Sequence, residues 1–122
     1  MIRVLLADDS ATVRRHLSGL LSASGEFEVV GQVSSGEEVT TLVQRLRPDV
    51  VSLDVFMPGD SAAQTVRRVL AAAPVPIVLV SDAPRDASEV FEALAAGALD
   101  FVRKPTAASA QSGARMLDTL RV

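Results

Sequence analysis

Asp8, Asp9, Asp54, Ser81 and Lys104 are the residues of this chain whose types could do chemistry together. Each sits at or just after the end of a short Val/Leu/Ile run. Asp8 and Asp9 follow Ile2 to Leu6, Asp54 follows Asp49 to Leu53, Ser81 follows Ile77 to Val80, and Lys104-Pro105 follows Leu99 to Val102. Taken singly, each is an ordinary residue for a helix cap, a turn or a surface loop. In an open parallel sheet, however, ligands bind outside the carboxyl ends of the strands, so these positions on one rim make a site. Crowded carboxylates repel, and the strain is relieved either by a raised pKa on one of them or by a hard divalent cation among them. The cation is the simpler choice. Magnesium keeps several waters and takes one or two carboxylates plus phosphate oxygens, which fits Asp9 and Asp54 directly and Asp8 through water. A phosphoryl group in transfer carries charge on three oxygens that must be neutralised while nucleophile and leaving group stand in line. Metal, the Lys104 ammonium and the Ser81 hydroxyl supply three such contacts. The remaining oxygen of Asp54 is then the nucleophile, and the product is an aspartyl phosphate.

These residues need elements to carry them to one rim. The four apolar runs above and a fifth, Glu28 to Val33, alternate with longer segments of helical period, the pattern of βαβ units with a parallel sheet. Glu28, Gly31 and Gln32 make the second run polar enough for an edge strand, while Val50-Val51 and Ile77-Val78-Leu79-Val80 read as central. Val13, Leu17, Leu20 and Leu21, then Val39, Leu42, Val43 and Leu46, fall at helical spacing. Val66, Val69 and Leu70 form the inner face of a third helix, Val90 and Leu94 that of a fourth, and Met116, Leu117 and Leu120 a short fifth. Ser35 with Glu38 and Ser61 with Gln64 have capping-box spacing, Asp86 with Glu89 has a looser version, and Gly97 suits a left-handed cap. The small polar stretch 106–113 predicts a loop.

Composition removes whole classes of function. The chain has 122 residues, one domain's length, and 48% of them are apolar, enough for a core without staples. It has no Cys and one His, which excludes disulfides, thiolate zinc sites and multi-histidine metal centres; His16 reads as a helix-surface residue. A net charge of −3, four Phe and no Tyr or Trp argue against direct nucleic-acid binding. The apolar start is interrupted by Asp8 and Asp9 far short of a signal peptide or membrane span, so the expectation is a soluble cytoplasmic protein.

The order Asp8-Asp9, Asp54, Ser81, Lys104-Pro105 on a five-fold βα alternation resembles the receiver domain of two-component response regulators over nearly the whole chain. The phrases EVVGQVSSGEE, LDVFMP and GALDFVRKP are most similar to the receiver half of chemotaxis-type protein-glutamate methylesterases. The resemblance implies a flavodoxin-like α/β fold, doubly wound in three layers, with a five-stranded parallel sheet of order 2-1-3-4-5. It divides the chain into a receiver core, 1–105, and a tail, 106–122, that is a loop and short final helix or the start of a linker to an output domain. It implies magnesium-dependent phosphorylation of Asp54 by a sensor histidine kinase, with an output domain or downstream protein reading the result. Asp8 and Asp9 then match the acidic metal pair, Ser81 the hydroxyl, Lys104 the phosphate-contacting lysine and Phe101 the aromatic switch. Phe56 would contribute its main-chain carbonyl to the metal, and the Lys104–Pro105 bond would be cis. Such a domain is a phosphoacceptor and not itself an enzyme; methylesterase chemistry would lie in a different domain.

Three positions depart from that family's pattern. The loop after Met57-Pro58 reads Gly59-Asp60-Ser61-Ala62 in place of an Asp-Gly pair, Asp82 follows Ser81 where a small residue is usual, and Phe56 is bulky. A phosphorylation-independent pseudo-receiver, used as a binding module, is the competing expectation. A flavodoxin-type flavin enzyme fits less well, because Asp8-Asp9 would repel the flavin phosphate.

Overall fold

The computed structural model describes residues 1–82, 86–106 and 109–122. Five parallel strands, β1 (Ile2–Ala7), β2 (Phe27–Val33), β3 (Val50–Asp54), β4 (Ile77–Ser81) and β5 (Asp100–Arg103), form one sheet in the order 2-1-3-4-5. Between and after them run α1 (Ala11–Ala23), α2 (Gly36–Leu46), α3 (Ala62–Ala72), α4 (Ala87–Ala96) and α5 (Ala110–Leu120). This is the doubly wound, flavodoxin-like arrangement. The polar β2 lies at one edge and the wholly buried β3 and β4 lie inside, as their compositions predict.

Strand alternation sorts the core into two layers. Val4, Leu6, Val50, Val78, Val80 and Val102 meet Leu17, Leu21, Met116 and Leu120 on the side of α1 and α5. Leu5, Val51, Leu53, Ile77 and Leu79 meet Val39, Val43, Val66, Val69 and Val90 on the side of α2, α3 and α4. Because both faces are covered, the strands are nearly unbroken apolar runs, and burying each Leu or Ile contributes roughly 1.5–3 kcal/mol. Gly31 lies beside the irregularity between Val4 and Leu5 in the β1–β2 ladder. A Cβ there would stand 2.8 Å from Leu46 Cδ1, so a larger residue would have to push that side chain of α2 aside.

Several local expectations give way. The helix α5 begins at Ala110, inside the stretch read as a loop, with Ser109 Oγ accepting from Ser112 N at 3.3 Å. Small residues are wanted there because Gly113 is buried against Leu20 of α1, where a Cβ would stand 3.0 Å from Leu20 Cδ1. The Ser61–Gln64 capping box forms in both directions. The Ser35–Glu38 box does not: the Ser35 hydroxyl is turned to donate to Glu38 Oε2, which also accepts from Ser34 N, and its oxygen accepts from no helix amide. Asp86 likewise makes no side-chain bond that caps α4; its Oδ2 accepts the amide of Asp82 instead. The Lys104–Pro105 bond is trans, contrary to the cis expectation. Trans is the intrinsically favoured isomer by about 0.5–1 kcal/mol, and the lysine reaches the carboxylates from it.

Candidate functional site

All the strands but β2 end one residue beyond the apolar runs, and that residue matters. Asp54 is the last residue of β3 and pairs with Val80; Ser81 is the last of β4 and pairs with Arg103. Both side chains therefore stand on hydrogen-bonded backbone rather than on loops, and both are buried. Beyond β1, the Asp8 amide donates to Val33 O at 3.0 Å, the Ser10 amide donates to Asp8 Oδ1 at 2.9 Å, and Ser10 Oγ accepts from Val13 N at 3.2 Å to cap α1. Asp8 is thus built into the start of the helix, and exposed Asp9 projects next to it.

At this rim the ligand oxygens of Asp8, Asp9 and Asp54 all lie within 4.8 Å of one another. Lys104 Nζ is 3.4 Å from Asp54 Oδ1 and 3.6 Å from Asp8 Oδ2. The Lys104 amide donates to Ser81 O at 2.9 Å, which joins the lysine's backbone to the serine's. The Phe56 amide donates to Asp54 Oδ1 at 3.3 Å, while Phe56 itself is 48% exposed. Asp54 and Asp8, two carboxylates only 4% and 2% exposed, share one cation.

That imbalance shows in the titration. Burial, then the negative charge of Asp8, pushes the Asp54 carboxyl up from 3.8 to about 7 against the opposing pull of Lys104 and the Phe56 amide. Burial alone would lower the Lys104 ammonium, but Asp54, Asp8 and Asp82 together hold its pKa above the ordinary lysine value. Asp82 is exposed, yet it is near enough to act on Lys104. Asp8 Oδ2 is buried and has no hydrogen-bond partner among the described residues. A tight group of carboxylate oxygens, one of them lacking a donor, suits a hard divalent cation, so the donor set fits magnesium.

Asp8, Asp9, Asp54 and Lys104 come together as the sequence predicts, with Ser81 on the adjoining strand end. Phe101 lies on the outer side of β5, 49% exposed, and His16 is exposed on α1. Arg14 was not among the expected site residues: its guanidinium donates to Asp8 O at 2.6 Å and fixes the acidic loop from α1. Its signal is weak, a basic residue one turn into a helix that follows an acidic pair. The altered loop after Pro58 is held by a positive φ at Gly59 and by the Asp60–Arg68 ion pair.

The model of the response regulator receiver domain family matches residues 4–114. The chain belongs to that family. A protein-glutamate methylesterase/protein-glutamine glutaminase of Bacillus licheniformis is 40% identical over 107 residues, 87% of this chain and 30% of that protein. A second, from Syntrophus aciditrophicus, is 40% identical over 123 residues, 99% of this chain and 35% of that protein. This receiver domain therefore spans about a third of the length of these curated relatives. Among solved structures, the response regulator domain of Thermotoga maritima CheB matches with a TM-score of 0.87 at 30% identity, covering 99% of this chain and 94% of that one. The receiver domain of a putative response regulator NarL from Mycobacterium tuberculosis matches at 0.81 and 32%, covering 98% and 96%. The chain is thus a receiver domain similar to that of CheB. Among the described residues, no helix is long and apolar enough to cross a membrane.

Proposed function

We propose that this receiver domain is a phosphorylation-controlled switch in which Asp54 accepts a phosphoryl group from the phosphohistidine of a sensor histidine kinase. The observation that carries this reading is the Asp54 carboxylate at the end of β3, with Asp8 and Asp9 within 4.8 Å and the Lys104 ammonium at 3.4 Å. In the transfer, an Asp54 oxygen bonds to phosphorus as the phosphorus–nitrogen bond breaks, and the kinase imidazole leaves with the electron pair. Asp8, Asp9, Asp54 and the main-chain carbonyl of Phe56 would hold magnesium. When bound, the ion neutralises the carboxylates and the phosphoryl oxygens.

The remaining work belongs to the protein. Lys104, carried on the end of β5, offers its ammonium to one phosphoryl oxygen, and the Ser81 hydroxyl, carried on β4, donates to another. Ser81 and Phe101 both line an open cavity of about 290 Å³ together with Val90 and Leu94 of α4. As Ser81 is drawn to the phosphate, Phe101 turns into this space and the face of α4, β5 and α5 changes. That change is what an output domain, joined through the tail at 106–122, or a downstream protein would read, and phosphorylation by the kinase would take place in the cytoplasm. A phosphorylation-independent binding module has less support, because none of the departures at Phe56, Asp82 or the Gly59 loop removes a chemical group from the site.

Intact mass after incubation with acetyl phosphate and magnesium tests the reading without a known kinase. One phosphoryl group should be gained, lost on adding a chelator, and absent in Asp54→Asn. Labelling that persists in Asp54→Asn would overturn the assignment.

A further inference from the structure

Asp86 is a carboxylate only 1% exposed, and the chemistry at Asp54 makes no use of it. It stands as the N-cap of α4 but makes no side-chain bond to the helix. Instead Asp86 Oδ2 accepts the main-chain amide of Asp82 at 2.6 Å, a short charge-assisted bond. A carboxylate at a helix N-terminus ordinarily caps it, and this one turns back to the strand end instead, against its local preference. Such conflicts concentrate where a structure has a second state.

The position of the bond says which state it favours. Asp82 immediately follows Ser81, and Asp86 immediately precedes Ala87; Ser81 and Ala87 both line the cavity that Phe101 faces. One end of the bond is therefore on the peptide that must travel with the Ser81 hydroxyl. The other end is on a helix anchored in the core by Val90 and Ala93. The Ser81 carbonyl is also held, by the Lys104 amide at 2.9 Å, so the peptide between Ser81 and Asp82 is tied on both sides. Where Ser81 travels further toward a phosphoryl group on Asp54 than the start of α4 does, the Asp86 bond is stretched.

We propose that Asp86 is a latch: a positioning residue whose buried carboxylate holds the peptide after Ser81 in its unphosphorylated place and so opposes the switch. The proposal rests on the phosphoacceptor reading of Asp54. Its consequence is that removing the latch favours the phosphorylated-like state while weakening the resting fold. A carboxylate with a merely structural role would weaken the fold alone.

The test uses the whole chain, labelled with 15N, in magnesium, titrated with beryllofluoride as the phosphoryl mimic. Asp86→Ala should bind it about tenfold more tightly than the parent, equivalent to about 1.4 kcal/mol, and Asp86→Asn, a weaker acceptor, should show a smaller gain. Both variants should melt at lower temperature. In the untreated parent the Asp82 amide should be protected from hydrogen exchange, and that protection should fall in both variants. If Asp86→Ala does not fold, Asp86→Asn and the parent's Asp82 protection decide. An unprotected Asp82 amide in the parent, or unchanged or weaker beryllofluoride binding in the variants while the parent binds, overturns the latch and leaves the phosphoacceptor reading standing. If neither parent nor variants bind beryllofluoride, both readings fall together.

Discussion

The two ends of the sheet treat charge in opposite ways. At the end opposite the site, the Arg3 amide donates to Asp49 Oδ2 at 2.8 Å and the Arg3 guanidinium donates to Arg47 O at 2.8 Å. These groups are exposed, paired and solvated. Arg47 has a positive φ of 48° there, and its left-handed conformation ends α2. A hollow of about 510 Å³, lined by Val43, Arg47, Pro48 and Val75, opens nearby. At the site end, by contrast, two carboxylates are nearly sealed from water and share one lysine. Hollows open near the inert end and beside Ser81 alike, so buried charge, not the presence of a cavity, is what sets the reactive end apart.

The largest test of that contrast is the pH dependence of stability. The Asp54 carboxyl is raised from 3.8 to about 7, so between those values the native state holds a proton that the unfolded chain has released. Metal-free protein should therefore lose stability as pH rises through this window and carry the whole penalty above it, on the order of 4 kcal/mol. Asp54→Asn removes the charge, so urea unfolding should find it more stable than the parent at pH 8 and nearly equal at pH 4. Magnesium should narrow the gap at pH 8. A gap independent of pH would break the contrast between the two ends.

A smaller effect sharpens the reactive end. Water must approach the phosphorus in line to hydrolyse an aspartyl phosphate, and the Phe56 ring, half-exposed two residues after Asp54, offers that water no hydrogen bond. Phe56→Asn should speed decay of the phosphorylated protein by about three- to tenfold, roughly 1 kcal/mol in barrier. Its decay after removal of the donor, measured beside the parent, settles the point; equal rates would end the shielding argument.

The smallest change is expected at the inert end. Asp49→Ala removes the acceptor of the Arg3 amide and should cost about 0.5–1.5 kcal/mol in chemical denaturation. Phosphoryl uptake from acetyl phosphate should stay at the parent's level. A fall in uptake would show that the two ends are coupled through β1.

The sequence alone determined the alternation of elements, the edge and central strands, and the residue types that meet at the carboxyl rim. It could do so because a parallel sheet covered on both faces writes itself as apolar runs, and because polar residues at the ends of those runs have one rim on which to converge. Asp8, Asp9, Asp54 and Lys104 were legible for that reason. Tertiary structure decided what depends on contacts between distant segments. The helix α5 starts among small polar residues because Gly113 fits against Leu20, a fact that periodicity within 106–113 does not carry. Asp86 has the spacing of a cap but turns back to Asp82, and Arg14 reaches around to the Asp8 carbonyl. The raised Asp54 pKa likewise belongs to the fold, since burial and the approach of Asp8 exist only once β1 and β3 lie side by side. Local patterns set which groups are available; packing sets how far each is from water and from its neighbours, and those distances control their energies.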